Sequence, residues 1–181
     1  MKRTEIAVLG TGCFWCSEAI FKLLRGVTSV TPGYAGGTTP DPTYEQVCSG
    51  LTGHAEVARI EFDPVLIPYE DLLEVFWNVH NPTSLNRQGN DVGTQYRSVI
   101  LTTSQVQKAK AETSMKKLEE SRQYDRPVVT IIEPLTYFYR AENYHQDYYA
   151  NHPDQPYCRL VISPKLQHLR QKYAGKLKST K

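Results

Sequence analysis

No run of 18 apolar residues occurs in the 181-residue sequence, which leaves no candidate for a membrane-spanning helix. An excess of one charge is also missing. Twenty-one basic residues against nineteen acidic ones leave a net charge of +2, too small to point to a nucleic-acid or membrane partner. The start, MKRTEIAVLG, lacks the long apolar stretch and small-residue cleavage site of a signal peptide. It reads instead as a buried first strand, and the expected compartment is the cytoplasm. No second C-x-x-C and no H-x3-5-H pair accompanies Cys13-Phe14-Trp15-Cys16, so the four ligands of a structural zinc site are not in view. Ser17 follows Cys16, which rules out the C-x-x-C-H form that attaches haem. Cys48 and Cys158 stand alone.

What is present is an ordinary globular composition, 40% hydrophobic and 22% charged. The chain is long enough to fold without disulfide staples. Tyrosine is the exception: there are 12 against 5 phenylalanines, and Tyr124, Tyr137, Tyr139, Tyr144, Tyr148, Tyr149 and Tyr157 crowd one stretch.

Hydrophobic periodicity predicts strands at 5–9, 28–34, 54–62, 95–101 and 128–133, and helices at 15–24, 69–80, 104–122 and 142–150. Leu72, Leu73, Phe76 and Val79 form the inner stripe of the second helix, and Ser104 caps the third. Residues 38–43 and 81–94 read as loops, and 159–162 as a strand. Residues 165–181 read as a solvated basic helix with a frayed end. Without repeats, linkers or strict β-α alternation, the order favours one domain over 1–181, with its core at about 5–165. The expected fold is α+β, a two-layer mixed sheet with packed helices and a ferredoxin-like core.

The chemistry concentrates at Cys13. Gly10-Thr11-Gly12 leads from a strand into a helix start, where the positive helix end lowers a thiol pKa and favours the reactive thiolate. The plain alternative is a pair of inert core cysteines. Glu56 shares a strand face with Ala58, Ile60 and Phe62, so its carboxyl is expected to point into an apolar layer. There it would stay protonated and act as a proton donor.

Five segments, in order, resemble signatures of the peptide methionine sulfoxide reductase A family. They are Gly12-Cys13-Phe14-Trp15, Gly33-Tyr34-Ala35-Gly36-Gly37, Gly53-His54-Ala55-Glu56-Val57, the run DVGTQYRS at 91–98, and Tyr144-His145-Gln146-Asp147-Tyr148. The resemblance implies that Cys13 is the nucleophile and Glu56 the acid that protonates the sulfoxide oxygen. It implies that Tyr44 and Tyr96 hydrogen-bond that oxygen, that Asp91 lines the site, and that Phe14 and Trp15 receive the S-methyl group. An apolar wall opposite hydrogen-bond donors suits a group that is methyl on one side and polar S=O on the other. It further implies the S epimer as substrate, free or in proteins, a sulfenic acid on Cys13, and recycling by thioredoxin. No metal, flavin or nicotinamide cofactor is implied, and nothing demands more than a monomer.

In many members the resolving cysteines sit in a mobile, glycine-rich C-terminal tail, and here the sequence departs from that pattern. Cys158 holds a comparable place but leads into the expected strand, whereas Cys16 lies three residues from Cys13. Cys16 is therefore favoured as the resolving thiol, ahead of Cys158, with Cys48 third. Two other readings compete. A general thiol–disulfide oxidoreductase accounts for Cys13 and Cys16 but leaves Glu56, Tyr44 and Tyr96 without a task. A peptide-binding module accounts for the tyrosines but not the thiols.

Overall fold

The computed structural model describes residues 4–179. The basic residues at 2–3 and the last two positions of the expected frayed tail lie outside the described residues. The elements run β1 (Glu5–Thr11), α1 (Phe14–Phe21), β2 (Val27–Ala35), α2 (Tyr44–Cys48), β3 (Ala55–Phe62), α3 (Tyr69–Val79), β4 (Arg87–Gln88), β5 (Asp91–Val92), β6 (Ser98–Thr102), α4 (Gln105–Glu120), β7 (Ile131–Pro134), β8 (Phe138–Arg140), α5 (Tyr148–Asn151) and α6 (Ser163–Lys172).

Six strands form one sheet in the order β7-β6-β1-β3-β2-β8. Every neighbour is antiparallel except β6 and β7. The result is the expected mixed α+β architecture, with helices packed on the sheet. Alternation along β1 and β3 sends Ala7, Leu9, Ala58, Ile60 and Phe62 toward the helices and Val8 and Val57 into a smaller cluster on the other face. Leu72, Leu73, Phe76 and Val79 are buried as their spacing predicts, and the Ser104 hydroxyl accepts the Gln107 N–H as the cap of α4. Among the described residues no helix is long and apolar enough to cross a membrane.

Several local expectations fail. β6 starts only at Ser98, because Thr94–Tyr96 forms a 3-10 turn. The strand expected at 128–133 is confined to Ile131–Pro134. The loop at 81–94 contains the short β4–β5 hairpin. The expected 142–150 helix is broken into a 3-10 turn, Asn143–His145, and α5, with Asp147 between them at φ 55°.

The C-terminal expectations fail most clearly. Residues Cys158–Ile162 form a π-helical turn that runs into α6, not a strand. Nor is α6 merely solvated. Leu166, Leu169 and Tyr173 are buried in the main core, and beyond them Leu177 bridges Leu24 just past the end of α1.

Candidate active site

β1 delivers the chain to the site through Gly12, whose φ of +102° and close approach to the Gln88 side chain both require glycine. Cys13 is then the N-cap of α1, its carbonyl accepting the Cys16 and Ser17 N–H groups. The first free N–H of the helix does not serve the sulfur. Phe14 N–H donates to Glu56 Oε2 at 3.0 Å, which ties the carboxyl of β3 to the residue beside the nucleophile.

Glu56 is buried, as strand alternation predicts. Burial pushes its pKa up to about 8, against the opposing Phe14 N–H, and the charges of Asp91 and Cys16 push the same way. It therefore carries a proton at neutral pH. All four cysteines are free thiols. Cys13 and Cys16 are hydrogen-bonded to each other and titrate as a pair. Their first ionisation falls at about 7, because the remaining S–H stabilises the thiolate beside it. Burial, that shared hydrogen bond and the Glu56 charge hold the second well above the ordinary thiol range. The expected lowering of the Cys13 pKa by the helix terminus is thus not found: burial, the hydrogen bond with Cys16 and the charges of Glu56 and Cys16 all raise it, and the lowered thiol of the pair is Cys16. Access separates the two. Cys13 is 9% exposed and Cys16 only 1%, so a substrate reaches Cys13.

Phe14 and Trp15 pack among aromatic partners that sequence reading did not supply. Trp15 stacks on Tyr148 at 3.7 Å and 5°, and its indole N–H donates to His145 Nδ1 at 3.1 Å. That bond leaves the His145 proton on Nε2. The buried His145 ring also meets Phe14 at 4.9 Å and Tyr44 at 4.6 Å. Tyr44 opens α2 beyond the Thr43–Gln46 capping box. Its backbone N–H donates to Glu142 Oε1, while Tyr34 donates to the other oxygen. The hydroxyls of Tyr44 and Tyr96 are held protonated, foremost by burial. Glu56 acts electrostatically on both, and Tyr96 also feels Cys48, Asp91 and Cys13.

Asp91 sits in the β4–β5 hairpin, anchored where the Gln88 side-chain amide brackets the Asn81 backbone. It accepts a 2.7 Å hydrogen bond from the hydroxyl of Tyr157. Tyr157 lies edge-on to Trp15 and 3.9 Å from Cys16 Sγ. Cys158 is fully buried at the start of the π-helical turn. Cys48 is exposed at the end of α2 and hydrogen-bonded to Tyr44. Among the described residues no cluster of three or more His, Cys, Asp or Glu side chains is placed to hold a metal ion.

The structure thus gathers Cys13, Cys16, Glu56, Phe14, Trp15, Tyr44, Tyr96 and Asp91 and adds His145, Tyr148, Tyr157 and Glu142. The tyrosine crowding and the Tyr144–Tyr148 segment marked part of this set without assigning it a role.

The family model described as peptide methionine sulfoxide reductase matches residues 5–177. Peptide methionine sulfoxide reductase MsrA of Thermus thermophilus is 55% identical over 174 residues, covering 96% of this chain and 98% of that one. The reduced form of Mxr1 from Saccharomyces cerevisiae superposes with a TM-score of 0.80 at 32% identity, covering 86% of this chain and 90% of that one. Mxr1 in complex with Trx2 shares the fold, with a TM-score of 0.58 at 23% identity over 81% of this chain and 85% of that one. With a family match that spans nearly the whole sequence and a site assembled around Cys13, this chain belongs to the peptide methionine sulfoxide reductase family.

Proposed function

We propose that this enzyme reduces the S epimer of methionine sulfoxide, free or in proteins, within one catalytic domain. Cys13 thiolate attacks the sulfoxide sulfur while Glu56 gives its proton to the oxygen. The products are methionine and a Cys13 sulfenic acid, and Glu56 is left as carboxylate. Phe14 and Trp15 hold the S-methyl group, Tyr44 and Tyr96 donate to the oxygen, and Asp91 lines the rim. Cys16 then condenses with the sulfenic acid, and thioredoxin reduces the resulting disulfide. The complex of Mxr1 with Trx2 supports the choice of reductant. The cytoplasm, where thiols are kept reduced, is the fitting compartment.

The observation that carries this reading is a protonated carboxyl bonded to the backbone one residue from an accessible thiol. A general thiol–disulfide exchanger has no use for that proton donor. Cys13→Ser removes the nucleophile, because a neutral hydroxyl attacks far more weakly. We expect no methionine from that variant under single-turnover conditions, with an unchanged circular dichroism spectrum. Methionine release at more than a few per cent of the wild-type rate refutes the assignment.

Among the resolving candidates, Cys16 is supported by its direct hydrogen bond to Cys13. Cys158 is held within helical structure and Cys48 lies on the outer end of α2.

A further inference from the structure

The resolving step consumes a thiol that is itself almost fully buried, so its proton needs a route out. Tyr157 supplies one by geometry. Its single hydroxyl proton is committed to Asp91 Oδ2 at 2.7 Å, since a carboxylate can only accept. The Tyr157 oxygen therefore has lone pairs free toward Cys16 Sγ, 3.9 Å away. Of the two directions open to that contact, this one makes the Cys16 S–H the donor, and a line then runs from Cys16 through Tyr157 to Asp91. The ring is fixed by its edge contact with Trp15. Its backbone is fixed by the π-helical turn and α6, which are sunk into the core at Ile162, Leu166 and Leu169.

We propose that Tyr157 and Asp91 form a proton relay that activates Cys16 for attack on the Cys13 sulfenic acid. The proposal rests on the reading that Cys16 resolves. In the step, a Cys16 Sγ–Cys13 Sγ bond forms and the Cys13 S–O bond breaks. The Cys16 proton passes to the Tyr157 oxygen as the Tyr157 proton passes to Asp91. The oxygen leaves as hydroxide and takes up that proton to become water. The Cys16 sulfur is oxidised and the sulfenic sulfur reduced to the disulfide level, so no outside electrons are needed. Tyr157 is the catalytic residue here, because it touches a reacting sulfur, and Asp91 acts through it.

The charged and titratable groups facing Cys16 are Cys13 at the cap of α1, Asp91 from the hairpin, Glu56 from β3, and Tyr157, Cys158 and Lys165 from the C-terminal segment. Lys165 favours the Cys16 thiolate and Asp91 opposes it. Asp91 therefore promotes the reaction only by taking the proton, not by stabilising the anion.

The test is a single turnover of the full-length reduced protein with methionine sulfoxide and no reductant. Methionine, free thiols and dimedone-trapped Cys13 are followed from pH 6 to pH 8.5. In Tyr157→Phe, disulfide formation should slow by at least about tenfold at pH 6, the low side of what positioned proton transfer contributes. The loss should shrink as Cys16 ionises unaided, and trappable sulfenic acid should accumulate. Methionine release should lose much less. Asp91→Asn, which keeps a hydrogen-bond partner but accepts no proton, should slow disulfide formation with the same pH dependence; it is read on that step alone, because Asp91 also lines the substrate rim and its charge acts on Glu56. Disulfide formation at the wild-type rate in both variants, or a loss equal at every pH as a purely structural defect would give, overturns the relay. Cys16→Ser serves as the separate control. If it still links Cys13 at the wild-type rate, the reading of Cys16 as resolving thiol fails, and the relay with it.

Discussion

At the scale of single residues the site is a problem of proton placement. Attack needs a thiolate and departure of the oxygen needs an acid, and water at one pH does not ordinarily provide both. Here the Cys13–Cys16 pair loses its first proton at about 7 while Glu56 keeps its own to about 8. The productive state is thiolate plus neutral carboxyl. kcat/KM should therefore follow a bell, rising with pH through about 7 and falling through about 8. Glu56→Gln should lose ~10²–10⁴-fold at the optimum and, with no carboxyl to ionise, lose the alkaline limb. A variant that keeps that limb shows that another group is the acid. The residues of this machinery were legible because each is a reactive side chain in a distinctive local setting. His145 and Tyr157 were not, because their roles depend on contacts 130 and 141 residues away in sequence.

At the scale of elements, the strands and helices with a full period of buried residues were legible from the pattern, and α3 and β3 are the clearest. The misread element is the C-terminal one. Leu160, Val161 and Ile162 are consecutive apolar residues that suit a strand on propensity alone. Yet Leu160 is exposed while Cys158, Ile162, Leu166 and Leu169 are buried. That stripe, at spacings of four, four and three, is helical. Tertiary packing against α1 overrode local preference. The packing has a measurable consequence. Leu169→Ala leaves a cavity in the core beneath the catalytic helix and should cost ~2–5 kcal/mol in urea unfolding. A cost below about 1 kcal/mol means that α6 is a peripheral addition rather than part of the core.

At the scale of the whole molecule, burying Glu56 uncompensated by a cation makes stability depend on pH. The unfolded carboxyl ionises near its ordinary value of 4.5 and the folded one at about 8. Between those values the folded state holds the extra proton, so stability falls as pH rises through that window. His80 works in the opposite sense. Burial presses its pKa down to about 3, so the unfolded state binds the extra proton between there and the ordinary histidine value. Stability is then lost as pH falls. Each pKa unit of difference corresponds to about 1.4 kcal/mol. Melting curves should show Glu56→Gln gaining on the wild type steadily from pH 5 to pH 8. A constant difference across that range means that the carboxyl is solvated in the folded protein.

The seam between the two ends of the chain has a bearing on how the enzyme comes into being. Beyond Leu177, the backbone N–H of Lys178 donates to Leu23 O, and its side chain reaches Lys22 O, 156 residues away in sequence. Lys22, just past the catalytic helix, is therefore synthesised 156 residues before the Lys178 that closes on it. Loops of that length close late and slowly in folding. The nucleophile therefore sits in an unfinished pocket while the intervening residues are made, and the fold around it is complete only when the segment at Lys178 returns to the end of α1.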